Sequence, residues 1–281
     1  VQSNVIVFPF ELFGNGGTGA GAQLLADAVR EILDDTQEET RPCRADCLRD
    51  TVRVHEFAFE TPQQVADWRK TGRQIARRHL KAGNFLLWLG GNHLSVLPVL
   101  EELGPTTLVV QFDAHLDMYA FHDTTSELSH GNYLRHFKTR RPRLVNIGHR
   151  DLFIPPTEIA TIFEATFSAV DVALRPDAVA SAVRTLAAGA SQVWIDLDSD
   201  VFDPAAMPAV QQPLPFGLAP PVFLKLMAAA WAGNVRGLSI SEFSPGHDQR
   251  DTGLNLLGWL LEFVLLHVHG DGTTRSIDLA R

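Results

Sequence analysis

Short apolar runs recur along the chain, each ending in a polar or Gly-rich segment and followed by a longer stretch with helical spacing. Residues 5–8, 85–89, 108–112, 144–147, 193–197 and 238–240 read as buried strands. Residues 21–33, 62–82, 176–188, 220–231 and 252–267 repeat their apolar positions as helices do. Three of these helices carry Pro near their start, where its missing N–H costs least. Strands too apolar to leave one face wet, alternating with helices, predict an α/β fold: a three-layer α/β/α sandwich around a mainly parallel sheet. No repeat, low-complexity tract or linker divides the sequence, so one domain over 1–281 is expected.

Composition changes this picture little. A 45% hydrophobic, 20% charged chain of 281 residues has what a large core needs. The formal charge of −9 argues against nucleic-acid or membrane-surface partners and is compatible with a cationic small-molecule substrate. No apolar run approaches about 18 residues, and the N-terminal VQSNVIVFPF has no basic leader region, which makes the cytoplasm the expected compartment. Cys43 and Cys47 are too sparse for a disulfide framework and read as reduced thiols in a surface segment. The Gly-rich 14–21 segment (GNGGTGAG) lacks the Lys-Ser/Thr of a phosphate loop, and the basic 138–143 stretch (KTRRPR) reads as a solvated face.

Parallel sheets bind ligands at the carboxyl ends of their strands. There the sequence places Asn92-His93, Asp113-Ala114-His115-Leu116-Asp117, Asp198-Ser199-Asp200 and Ser241-Glu242, each directly after or close behind an apolar run. A single Asp or His at a strand end is more often a helix cap or a surface group. Six of them (His93, Asp113, His115, Asp117, Asp198 and Asp200) converging on one edge is a different matter. Four packed carboxylates repel one another unless cations neutralise them. Mixed carboxylate and imidazole donors suit Mn, Fe, Co or Zn, and the carboxylate majority leans toward Mn. Two ions about 3.5–4 Å apart could share a water.

GGNH, DAHLD, SHGN, DSDVFDP and SEFSP resemble, in order and approximate spacing, motifs of the ureohydrolase family of arginases, agmatinases and formimidoylglutamases. That family usually writes GGDH, DAHxD, His-Gly, DxDxxDP and ExNP, and the similarity spans positions 93–245. The resemblance implies an arginase-like fold, two Mn²⁺ per chain, hydrolysis of a C–N bond in a guanidino compound, and a homo-oligomer, commonly a trimer or hexamer. It implies His93 and Asp117 as ligands of one ion, His115 and Asp200 of the other, with Asp113 and Asp198 bridging. Asp196 falls where relatives often carry Ser and is not counted as a ligand. His130 matches a proton shuttle, Glu242 the acid that holds the guanidinium, and Asp117 a proton carrier beside the metals.

Departures from the family bear on substrate. Tyr119 stands where arginases place an Asn toward the substrate α-carboxylate, and Phe153 where they place an Asp toward the α-amino group. Phe cannot accept a hydrogen bond from an ammonium, so agmatine or a guanidino acid is expected rather than free L-arginine. The PFGL run at 215–218 resembles formimidoylglutamases and keeps a formimino substrate open. Asn92, Leu94 and Ser244 replace the usual Asp, Ser and Asn. Asn92 is the one feature that favours a catalytically silent metal-binding relative.

Overall fold

The computed structural model describes residues 2–37, 43–120 and 127–269. Eight strands form one all-parallel sheet. They are β1 (Ser3–Phe8), β2 (Val52–Glu56), β3 (Phe85–Gly90), β4 (Thr107–Phe112), β5 (Arg143–Ile147), β6 (Ala165–Phe167), β7 (Gln192–Asp198) and β8 (Val235–Ser241). Their order across the sheet is β2-β1-β3-β8-β7-β4-β5-β6. The six apolar runs are six of these strands. The two edge strands, β2 and β6, escape the periodicity reading because neither is a continuous buried run.

Period-2 alternation feeds two cores, one on each face. Val5, Leu87, Val110 and Ile195 point to the face covered by helices Gly19–Asp34, Pro176–Ala188, Pro220–Ala230 and Thr252–His269. Ile6, Trp88, Val109 and Trp194 point to the other, under helix Trp68–Lys81 and the turn beginning at His93. The expected 62–82 helix is interrupted at Asp67: Pro62–Ala66 forms one turn, closed at its start by a Thr61–Gln64 capping box, and Trp68 begins the next helix. Thr252–His269 is long and apolar enough to cross a membrane by length and composition, but Leu257, Leu261 and Val264 pack into the first core. Cys43 is buried, a correction to its surface reading, and Cys47 is half-buried.

The strands bearing β3, β8, β7 and β4 are contiguous at the centre of the sheet. Motifs spread from position 92 to 242 are thereby delivered to one edge.

Candidate active site

Each strand end turns by local means. The Asp113 carboxylate accepts a hydrogen bond from the His115 N–H (2.6 Å), and Asp198 accepts one from the Asp200 N–H (2.9 Å). Both are Asp side chains bonding their own backbone two residues on, which curls the chain off the strand. Asp200 in turn accepts from the Ala114 N–H (3.1 Å), lacing the two turns together. From behind, Arg150 donates to the carbonyls of Asp200 (2.8 Å) and Val201 (2.6 Å). Gly148, with φ +106°, leaves no room for a Cβ, which would stand 2.6 Å from Val201 Cγ2. Asp117 and Glu242 both hold positive φ, 45° and 61°, at the rim of the site.

His93 Nδ1 lies 3.2 Å from Asp113, 2.9 Å from Asp117 and 3.1 Å from Asp198. His115 Nδ1 lies 2.8 Å from Asp200 and 3.8 Å from Asp113. Among the described residues, donor atoms of His93, Asp113 and Asp198 come within ion-binding reach of one another, as do those of Asp113, His115 and Asp200. Asp113 is common to both groups. The buried His93 Nδ1 and Asp113 Oδ2 are close, yet they are not aligned to hydrogen-bond with each other or with another group. A ring nitrogen aimed at acceptor-only oxygens fits a cation between them, and the N and O donors suit a divalent transition metal. Charge tells the same story. Burial, aided by Asp117 and opposed by His93, pushes Asp113 up to about 7. Burial, then Asp200 and Asp113, raises Asp198 well above the usual carboxylate range. For His115, burial disfavours the charged ring, but Asp200 outweighs it and lifts the imidazole to about 10. Burial and crowding thus favour proton uptake by Asp113 and Asp198, the same charge neutralisation that a cation would supply.

Four of the metal-ligand candidates, His115, Asp117, Asp198 and Asp200, face a cavity of about 430 Å³ whose lining also includes Asn15, Tyr119, His130, Gln212 and Glu242. Glu242 accepts hydrogen bonds from the His93 N–H (2.8 Å) and from Asn15 Nδ2 (3.0 Å), and His130 Nδ1 stands 3.4 Å from it. Burial works against a charged His130 ring, but Glu242 outweighs it and raises the imidazole above its ordinary value. Burial, then the charge of Asp117, raises the Tyr119 phenol. Asn132 of the SHGN segment accepts from the Ser129 N–H (2.8 Å) and donates to the Glu127 carbonyl (2.9 Å), fixing the turn that presents His130.

Of the predicted site residues, the structure brings together His93, Asp113, His115, Asp117, Asp198, Asp200, His130, Glu242 and Tyr119. It does not bring in Phe153, which is 92% exposed: Asp151 Oδ1 accepts from the N–H groups of Phe153 and Ile154, a turn that leaves the ring outside the cavity. Phe216 of the PFGL run is also outside, 81% exposed on a separate, larger and mainly apolar cavity of about 1000 Å³ with Leu152 and Ile154. Size is a poor guide here, because the smaller cavity holds the titratable groups. Sequence reasoning missed Asn15, in the Gly-rich segment set aside as a failed phosphate loop. Gly14 is the signal: a Cβ there would stand 2.6 Å from Asn92 and 2.7 Å from His130, so only Gly lets the loop lie against the site. Asn92 donates through Nδ2 to the Leu12 carbonyl (3.2 Å), a bond that an ionised Asp could not make, which gives that departure a role in holding the same loop.

The model of the arginase family matches residues 2–265. The agmatinase of Serratia proteamaculans is 28% identical over 264 residues, covering 86% of this chain and 79% of that protein. Among solved structures, the agmatine ureohydrolase of Thermoplasma volcanium aligns with a TM-score of 0.76 at 22% identity, over 94% of this chain and 89% of that one. Arginase from Bacillus subtilis aligns with a TM-score of 0.76 at 20% identity, over 94% and 98%.

Proposed function

Because this chain belongs to the arginase family, a ureohydrolase of guanidino compounds, we propose that it is a single-domain, two-manganese amidinohydrolase releasing an amine and urea, with agmatine or a related guanidino compound preferred to free L-arginine. One observation carries the reading: Asp117 and Asp198, two of the three carboxylates around the buried His93 Nδ1, line the same cavity as the Glu242 carboxylate. His93, Asp113, Asp117 and Asp198 would hold one ion, and Asp113, His115, Asp198 and Asp200 the other. Such a pair supplies a water acidic enough to be deprotonated near neutral pH and a strong local positive charge.

The remaining work falls to the chain. Glu242 is oriented by the His93 N–H and Asn15, and it binds the substrate guanidinium through charge-assisted hydrogen bonds. That places the central guanidinium carbon over the carboxylate cluster. Asp117 accepts the proton of the attacking water, and His130, on the cavity side of Glu242, delivers a proton to the departing nitrogen. Tyr119, Asn15 and Gln212 line the path of the substrate tail, and none of the described lining residues is Lys or Arg. A carboxylate-bearing tail would find no Lys or Arg among those residues, which favours a cationic or neutral tail. We further expect a homo-oligomer, trimer or hexamer, in the cytoplasm; the former is measured by light scattering.

The test is a Mn²⁺-loaded assay of urea or formamide release from L-arginine, agmatine, guanidinobutyrate, guanidinopropionate, guanidinoacetate, formiminoglutamate and an arginine peptide. Turnover of agmatine, abolished by chelation and by Asp198→Ala, is the expected result. A preference for L-arginine or a guanidino acid overturns the tail argument, and formamide release overturns the guanidino reading. A folded protein holding two ions and cleaving nothing in the panel overturns the proposed substrate class and points to a silent metal-binding relative.

A further inference from the structure

Near the carboxyl ends of four adjacent strands, one cross-strand row carries polar side chains where apolar ones are expected. Asn146 of β5 pairs with Gln111 of β4, Gln111 with Asp196 of β7, and Asp196 with Ser239 of β8. All four are buried and share the sheet face of Trp88, Trp194 and Tyr133. A buried polar row inside a sheet is costly unless each member is bonded, and nearly every bond can be traced. Trp194 Nε1 donates to Ser239 Oγ (2.9 Å), and the Ser239 hydroxyl donates to Asp196 Oδ1 (2.5 Å). Gln111 Nε2 donates to the Tyr133 hydroxyl (3.0 Å), and Asn146 Nδ2 donates to Gln111 Oε1 (3.4 Å) and to the His115 carbonyl (2.9 Å).

The second Asp196 oxygen, Oδ2, lies 3.0 Å from His93 Nε2, and the Tyr133 hydroxyl lies 3.2 Å from the same nitrogen. An ionised carboxylate only accepts, so the proton between Asp196 and His93 belongs on Nε2. With Nε2 protonated, a neutral His93 carries its free lone pair on Nδ1, the atom facing Asp113, Asp117 and Asp198. That is the tautomer a metal ligand needs, and an anionic partner on the far nitrogen makes the ring a stronger donor. Among the described residues His115 has no comparable carboxylate behind it: its Nδ1 faces Asp200 and Asp113, its side chain is 22% exposed, and the row reaches it through its backbone carbonyl.

We propose that Asp196 is a positioning residue that sets the His93 tautomer and selectively tightens the ion on the His93 side, leaving the His115-side ion the weaker of the two. The inference rests on the ligand assignment above. It is tested by titrating metal-free wild type and Asp196→Asn with Mn²⁺, following heat and the electron paramagnetic resonance signal of the bound ions. Wild type should bind in two steps, with the tighter weakened about 10- to 100-fold in the variant and the other changed less than about threefold. In the zinc-loaded protein, nitrogen-15 spectra should show the His93 Nε2–H, with its proton resonance displaced in Asp196→Asn. Because Asp196 is buried, Ser239→Ala serves as a second variant that spares the carboxylate and should weaken the same step by a smaller factor.

A wild type that binds fewer than two ions overturns the ligand assignment, whatever the variants do. Two ions in wild type, with both steps unchanged in the variants, overturn the role of Asp196 alone. Equal weakening of both steps, or a His93 protonated on Nδ1, overturns the selectivity.

Discussion

The two sides of the carboxylate cluster are built on different terms. His93 is 1% exposed and bracketed on both ring nitrogens by acidic groups, with the Asp196–Ser239–Trp194 chain behind it. His115 meets Asp200 at the cavity wall, with no such chain behind its ring among the described residues. One side is made like a protein core and the other like a binding surface. The difference teaches that two imidazoles with the same nominal role need not be held by the same forces: packing and a fixed tautomer on one side, local charge on the other.

Four measurements break or sharpen that comparison. The largest effect is expected at Asp198, which both sides use. Asp198→Asn should lower turnover by at least about 10³-fold, several kcal/mol of lost charge stabilisation, and reduce bound metal from two ions to fewer than one. Retention of both ions would show that the two sides do not share this carboxylate. Next come His93→Ala and His115→Ala in chelated protein. The first strands Asp196 in the interior and should cost about 2–4 kcal/mol, whereas the second, at the partly exposed ring, should cost less; urea denaturation reads both. Equal losses would erase the core-versus-surface distinction.

A smaller effect is expected at Asn15, whose single hydrogen bond steadies Glu242. Asn15→Ala should raise KM about 5- to 10-fold with kcat within about twofold. A fall in kcat alone would move Asn15 from orientation of the bound substrate to the reacting step. The smallest effect is a slope with pH. Folding raises the His115 imidazole from 6.5 to about 10, so its contribution to the metal-free fold is complete below pH 6.5 and is lost as pH rises through about 10. The chelated protein should therefore melt a few degrees lower near pH 10 than near pH 7. His115→Asn should flatten that slope, and bound metal, which needs the neutral ring, should remove it.

Much of this was legible in the sequence for a physical reason. Central parallel strands are buried on both faces, so β1, β3, β4, β5, β7 and β8 stand out as apolar runs, and an acid at the end of such a run has few structural excuses. What stayed hidden depends on direction or on distant contacts. β2 alternates Val52 with exposed Arg53, as an edge strand does, and gives a weak signal. Asp196 is visible as an acid inside an apolar run, but only the orientation of His93 says which nitrogen it serves. Asn15 belongs to the site because Gly14 lets its loop rest on Asn92 and His130, a contact between segments some 80 to 115 positions apart. Phe153 was placed in the site by alignment of a motif, and the Asp151 turn carries it away.

The position of β8 has a consequence for how the protein comes to be. The last of the described strands, Val235–Ser241, is inserted between β3 and β7 in the middle of the sheet. Until it arrives, the half that carries His93 and the half that carries Asp113 and Asp198 have no shared strand to hold them side by side. A chain emerging from the ribosome thus cannot assemble the ion-binding pocket piecemeal. Capture of metal waits for this strand to be made and for the slow, long-range pairing typical of parallel sheets. Metal should then act as a latch, retarding unfolding far more than it hastens folding.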